Sequence, residues 1–260
     1  MSMTQSTPSP DTIAQSDSSA KQLRAAYFLG EESFELIYPP MIREQLEMLA
    51  DFSIDPVFSD DLASRIDDLK EVEVIFSGWN MVKMDQSLLD AMPNLKAVFY
   101  GAGSVRYIIT DAFWKRDIKL TTANAANAIP VTEYTTAAIL LSLKQFWRYS
   151  RMVKHQEAWG DHTRPLPGNY HSQVGFVSCG MIARGTIKHL KAFDLDLSVY
   201  CPFLSDYEAK NLGIEPKSLM EIFEQSDLVS LHTPDLAETK GMIGREHFEA
   251  MRPNATFINT

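Results

Sequence analysis

From Leu23 onward, short runs of β-branched and aromatic residues alternate with stretches whose apolar positions recur at helical spacing. The strand-like runs are LRAAYFL at 23–29, VEVIFS at 72–77, LKAVFY at 95–100 and IKLTT at 118–122. Helical patterns fall between them at 39–50, 60–69 and 85–92. Such alternation needs crossover connections, so it predicts a parallel sheet covered on both faces. A longer helix is predicted to open at Pro130, because proline suits a first helical turn, and no breaker follows before Gly160. Its first half is apolar nearly all round, which predicts burial on several sides. A second alternation starts at Gln173, with strands predicted at 174–178, 196–201, 228–232 and 256–259. Between the second and third of these, Ser218 opens a helix with Glu221 three residues on, the spacing of a capping box.

The expected organisation is therefore α/β in two lobes. A substrate lobe spans 21–125, an interdomain helix 126–160, and a dinucleotide-binding lobe 161–260, with a polar Pro/Gly-rich linker at 160–172. The first 20 residues are Ser/Thr-rich and lack both a basic and an apolar region, so they read as a disordered tail and not as a secretory signal.

Lys and Arg number 24 against 34 Asp and Glu, a net charge of −10 with no basic block, which argues against nucleic acid or an anionic membrane as partner. No apolar run approaches the roughly 20 residues of a bilayer span, and two cysteines are too few for a disulfide scaffold. A soluble, cytoplasmic protein in a reducing compartment is expected. Neither H-E-x-x-H nor a Cys/His cluster points to a metal.

The most informative stretch is VGFVSCGMIARG at 174–185. A strand enters a small-residue turn and then a helix, the outline of the G-x-G-x-x-G phosphate-binding fingerprint. Its three positions are Ser178, Gly180 and Ala183. The first glycine is replaced, the second, which lets the backbone approach a pyrophosphate, is kept, and alanine is accepted at the third. The next strand ends at Cys201, where a dinucleotide site usually places a ribose-binding carboxylate. Without that acid a 2′-phosphate is not repelled, so NADP stands beside NAD as the expected cofactor.

The blocks that follow are more specific. Ser226, Asp227, Val229, Ser230, Leu231 and His232 are followed by Pro234, Thr239 and Ile243 in the order S-D-x-V-S-L-H-x-P-x-x-x-x-T-x-x-x-I, and MRPNATFINT closes the series. With NAANAIPVTEYTTAAILL and FYGAGS upstream, the chain resembles the D-isomer specific 2-hydroxyacid dehydrogenase family over roughly residues 70–260. The resemblance implies a flavodoxin-like lobe and a Rossmann lobe, the latter stopping short of its full strand set. It implies hydride transfer between a nicotinamide and a small 2-hydroxy or 2-oxo acid. Cofactor is expected against Ser178, Cys179, Gly180, Met181 and Ile182, with Cys201 at the ribose. His232, Thr233, Pro234, Thr239, Asn259 and Thr260 are expected near the remaining portions. Substrate carboxylate is expected on backbone N–H groups around Ser77, Gly78 and Trp79 and around Ala102, Gly103 and Ser104. Two copies are expected to pair through the 130–158 helix and the Rossmann lobe.

In that family an Arg, a Glu and a His carry the chemistry, and all three positions fall after Thr260. No catalytic residue is therefore assigned, and this stretch alone is not expected to turn over substrate. His155, His162, His171 and His247 read as solvated, and His189 lies on the helix after the fingerprint. The alternative reading is a non-catalytic dinucleotide-binding or interaction protein, with Ser178 and Cys201 as marks of decay.

Overall fold

The computed structural model describes residues 22–155 and 168–260. The expected tail, most of the linker and His162 lie outside them. The chain divides into two compact units, Met1–Ala123 and Asn124–Thr260.

In the first unit the strands are β1 (Ala25–Leu29), β2 (Val57–Phe58), β3 (Val74–Ser77), β4 (Ala97–Tyr100) and β5 (Lys119–Thr122). They form one parallel sheet in the order β2-β1-β3-β4-β5, the flavodoxin-like arrangement. Helices α1 (Glu31–Ile37), α2 (Pro40–Glu47), α3 (Leu62–Arg65), α4 (Gln86–Ala91) and α5 (Asp111–Trp114) supply the crossovers, with a 3₁₀ turn at Ile66–Leu69. One face of the sheet, through Ala26, Phe28, Ile75 and Val98, buries the main core with Leu88, Leu89, Met92 and Phe113. The other face carries an aromatic layer in which Tyr27 stacks on Phe52 at 4.6 Å and Phe76 on Phe99 at 5.0 Å.

The second unit opens with α6 (Asn124–Leu143) and α7 (Phe146–Lys154). The helix predicted from Pro130 thus starts six residues earlier and is interrupted. Pro130 sits inside α6, and Gln145 adopts a left-handed conformation with φ of 54° that turns the chain between the two helices. Nothing in the sequence marks that break, since glutamine is not a residue that favours this conformation. Burial on several sides is also corrected: Ala128, Thr132, Thr135, Ile139, Ser142 and Leu143 lie on one stripe, while Ile129 and Tyr134 face outward.

The second sheet contains β6 (Ser172–Val177), β7 (Leu195–Tyr200), β8 (Glu215–Pro216), β9 (Leu228–Leu231) and β10 (Thr256–Asn259), all parallel, in the order β10-β9-β6-β7-β8. Numbered within the unit this is 3-2-1-4-5 read from β8, the Rossmann order. The connecting helices are α8 (Met181–Leu190), α9 (Asp206–Leu212), α10 (Leu219–Gln225) and α11 (Arg245–Ala250). The predicted capping box forms: Ser218 Oγ accepts from the Glu221 N–H, and Glu221 takes the Ser218 N–H at 2.9 Å. The pattern found eight of the strands but not β2 and β8, which are two residues each and carry no readable alternation. No helix of the described residues is long and apolar enough to cross a membrane.

Two glycines explain close packing here. A Cβ on Gly175, mid-strand in β6, would lie 2.4 Å from Ser226 Oγ and 2.7 Å from Ile222 Cγ2, so α10 seats directly on the strand. A Cβ on Gly185 would meet Thr132 Cγ2 at 2.8 Å, which is why α6 and α8 approach so tightly.

Candidate functional site

In an open parallel sheet the crevice forms at the carboxyl ends of the strands where the order reverses. In the second unit that point lies between β6 and β9. The residue after β6 is Ser178, with φ of 79°. The turn therefore keeps the left-handed conformation that glycine ordinarily supplies, at a cost of about 1–2 kcal/mol for a side chain. Its N–H donates to Tyr200 O at 2.8 Å, locking the turn to the end of β7. Cys179 follows, buried, and its carbonyl accepts from Arg184 Nε at 3.0 Å, while Arg184 also pairs with Glu208 at 3.0 Å. Burial pushes the Cys179 thiol up, so it is a poor thiolate source despite Arg184 nearby. Both cysteines are free and pack in the same apolar cluster.

Gly180 is the N-cap of α8, with no side chain capping the helix. A Cβ there would meet nothing within 4 Å, so the protein itself gives no steric reason for glycine. The N–H groups of the first turn have no intrahelical partners and lie at the positive dipole end of the helix, with Gly180 exposed and Met181 half exposed beside them. Ala183 is fully buried beneath, so the third fingerprint position packs as expected.

On the other side of the reversal β9 leads into His232. Its N–H donates to Val177 O at 2.9 Å, its Nε2 is 2.9 Å from Ser230 Oγ, and its Nδ1 is 3.3 Å from Thr260 Oγ1. Thr260 Oγ1 in turn lies 3.4 Å from Thr135 Oγ1 on α6, so four side chains tie β9, the end of β10 and α6 together. The ring stacks on Phe176 at 5.9 Å, and burial alone pulls its pKa down to about 4. Thr233 Oγ1 is buried without a hydrogen-bond partner, a desolvation cost of about 1–3 kcal/mol. Pro234 and Asn259 are exposed at the same edge. The Thr239 hydroxyl donates to Pro234 O at 2.7 Å and accepts from the Leu236 N–H at 3.0 Å, so it closes the loop after β9 on itself.

Cys201 follows the end of β7 and lines a cavity of about 300 Å³ with Tyr200, Pro202, Leu204, Pro216 and Lys217. Lys217 and Arg184 escaped the sequence reading. Lys217 follows a strand too short to show a period, and Arg184 is marked only as a helix residue.

In the first unit the order reverses between β1 and β3. Ser77, Gly78 and Trp79 stand at the end of β3, and the Gly30 N–H after β1 donates to Trp79 O at 3.0 Å. Ser77 is buried, its hydroxyl on Met81 Sδ at 2.7 Å and its carbonyl accepting from Tyr38 OH at 2.7 Å. Gly78 has a packing reason of its own, because a Cβ would lie 2.2 Å from Ile37 Cδ1. Ala102 is buried after β4, Gly103 is partly exposed and Ser104 exposed. The six expected substrate residues thus come from the ends of two adjacent strands.

One histidine is corrected. His247, read as solvated, is buried: Nδ1 accepts from the Gly244 N–H at 3.0 Å and the ring packs edge-on against Phe223. It caps α11 because no hydroxyl or carboxylate stands at the N-cap. His155 and His171 are exposed, and His189 is exposed on α8. Among the described residues no group of three His, Cys, Asp or Glu is placed to hold a metal ion.

Residues 136–260 match the family model described as D-isomer specific 2-hydroxyacid dehydrogenase, NAD binding domain. A D-3-phosphoglycerate dehydrogenase of Bacillus subtilis is 25% identical over 224 residues, 86% of this chain and 42% of that protein. A glyoxylate reductase of Thermofilum pendens is 29% identical over 183 residues, 68% of this chain and 54% of its own length. The chain thus spans about half or less of the length of these curated relatives. Among solved structures, the D-lactate dehydrogenase from Aquifex aeolicus complexed with NAD and lactic acid superposes with a TM-score of 0.71 at 25% identity, covering 90% of this chain and 68% of that one.

Proposed function

We propose, from the match of residues 136–260 to the NAD-binding domain of the D-isomer specific 2-hydroxyacid dehydrogenase family, that the chain binds NAD(P) and serves hydride transfer involving a small 2-hydroxy or 2-oxo acid. The observation that carries the reading is the turn at Ser178 to Gly180: a left-handed residue, an uncapped helix and unobstructed space. These fit a pyrophosphate on the α8 N-terminus, with Ser178 to Ile182 as its cradle. Thr233, whose buried hydroxyl has no partner, and exposed Pro234 and Asn259 frame the opposite wall.

When bound, the nicotinamide supplies or accepts the hydride. The chain's own residues hold and orient: backbone N–H groups of the Ser77–Trp79 and Ala102–Ser104 loops take the substrate carboxylate. His232 is not the proton donor, because with both ring nitrogens engaged and a pKa near 4 it is neutral at physiological pH.

Fluorescence titration with NADH and NADPH tests the reading. The parent is expected to bind at least one of them, Gly180→Ala about tenfold more weakly, since the added methyl takes space reserved for the ligand. Its thermal midpoint is expected to move by only a few degrees, an N-cap Gly to Ala change costing about 1 kcal/mol. Ser178→Gly relieves the turn and is expected to change affinity little. A parent that binds neither dinucleotide, or Gly180→Ala binding as the parent does, overturns the proposal in favour of an interaction protein that kept only the fold.

The same reading pairs two copies through α6 and α7, where Ile129, Tyr134, Phe146 and Trp147 are about half exposed or more. Sedimentation velocity is expected to give a dimer for the parent and a monomer for Tyr134→Glu with Trp147→Glu. A monomeric parent removes the pairing.

A further inference from the structure

The cavity at the end of β7 contains a charge arrangement that the fingerprint does not. Lys217 is anchored beside β7 by its N–H, which donates to Val199 O at 2.9 Å. Its side chain is only 11% exposed, yet it helps line the 300 Å³ cavity that Cys201 also lines. None of the residues lining that cavity is acidic. A largely buried lysine therefore lines the cavity beside Cys201, the place where a dinucleotide site ordinarily sets a carboxylate for the ribose hydroxyls.

Two carboxylates lie near Lys217, and neither lines the cavity. Glu215 Oε2 is 3.1 Å from Nζ, but its side chain is 68% exposed, so the pair is one that water readily replaces. Glu221 is committed to the capping box, accepting from Ser218 Oγ at 2.6 Å and from its N–H at 2.9 Å.

We infer that Lys217 is the specificity-determining residue of the adenosine end and selects a 2′-phosphorylated dinucleotide, NADP(H), over NAD(H). The inference rests on the proposal that the Ser178 turn binds a dinucleotide. Given that placement, the ribose lies against Cys201, which offers no carboxylate to the 2′-hydroxyl of NAD. A 2′-phosphate instead gains a charge-assisted hydrogen bond from Lys217 in a partly desolvated site. The β7 terminus contributes by what it lacks, the β8 terminus by the cation it presents.

Calorimetric titration of the full chain with NADPH, NADH, 2′,5′-ADP and 5′-AMP decides it. NADPH is expected to bind about tenfold or more tightly than NADH, and 2′,5′-ADP more tightly than 5′-AMP by a similar factor. Lys217→Met, which keeps the apolar stem, is expected to abolish both preferences while leaving NADH affinity within about twofold. Lys217→Arg is expected to retain them, and Lys217→Gln serves in place of Met should that variant melt early. Equal affinities in the parent, or a loss in Lys217→Met shared equally by NADH and NADPH, overturns the inference and leaves the dinucleotide site standing. Failure of the parent to bind either dinucleotide overturns that site and the inference with it.

Discussion

Lowering the pH from 6.5 to 4.5 is expected to remove about 2–3 kcal/mol of stability from the second unit, through one residue, His232. Its folded pKa is near 4 against an ordinary 6.5, and burial is the whole cause. The groups around it are hydroxyls and an aromatic ring: Ser230, Thr260 and Phe176. None of these side chains carries a negative charge for an imidazolium. Between pH 6.5 and 4 the unfolded chain binds a proton that the folded chain refuses, so stability is full above pH 6.5 and falls as pH drops toward the folded value. The carboxylates held below their usual range, Glu208 and Glu221, act only below their ordinary value of 4.5, so the upper part of the window belongs to the histidine. Urea denaturation across this range, followed by hydrogen exchange of the β6 and β9 amides, measures the slope. His232→Gln keeps hydrogen-bonding capacity without the titration and is expected to flatten it. A slope equal to the parent's in that variant assigns the pH dependence elsewhere.

Gly175→Val is expected to cost about 3 kcal/mol, at the upper end of overpacking, and to lower the yield of folded protein. The Cβ alone falls 2.4 Å from Ser226 Oγ and 2.7 Å from Ile222 Cγ2, and the strand is central, so the backbone cannot yield without breaking pairing on both sides. The helix must move instead. Gly175→Ala is expected to cost about 2 kcal/mol, and less than that in an Ile222→Ala background, because the second change vacates part of the contested space. Chemical denaturation of the four chains in that cycle checks the coupling. Strict additivity shows that α10 does not set the limit at this position.

The alternation of apolar runs with helical patterns by itself determined the two parallel sheets and the crossover helices, because a buried parallel strand needs a continuous apolar run and its return needs a helix. The capping box at Ser218 was equally legible, being a local exchange between residues three apart. So was the small-residue turn after β6, whose place between strand and helix is a matter of sequence order. The two-residue edge strands, the break at Gln145 and the burial of His247 were settled only by the tertiary structure. Each depends on a partner distant in the chain or on a conformation that its residue type does not favour. The site divides along the same line. Ser178, Gly180 and His232 lie at the ends of apolar runs and could be named from order alone. Lys217 reaches the Cys201 cavity only because β8 pairs with β7, and Thr135 reaches Thr260 only because α6 packs on the sheet. Registry between elements, set by side-chain volumes such as the missing Cβ atoms at Gly175 and Gly185, brought those groups together.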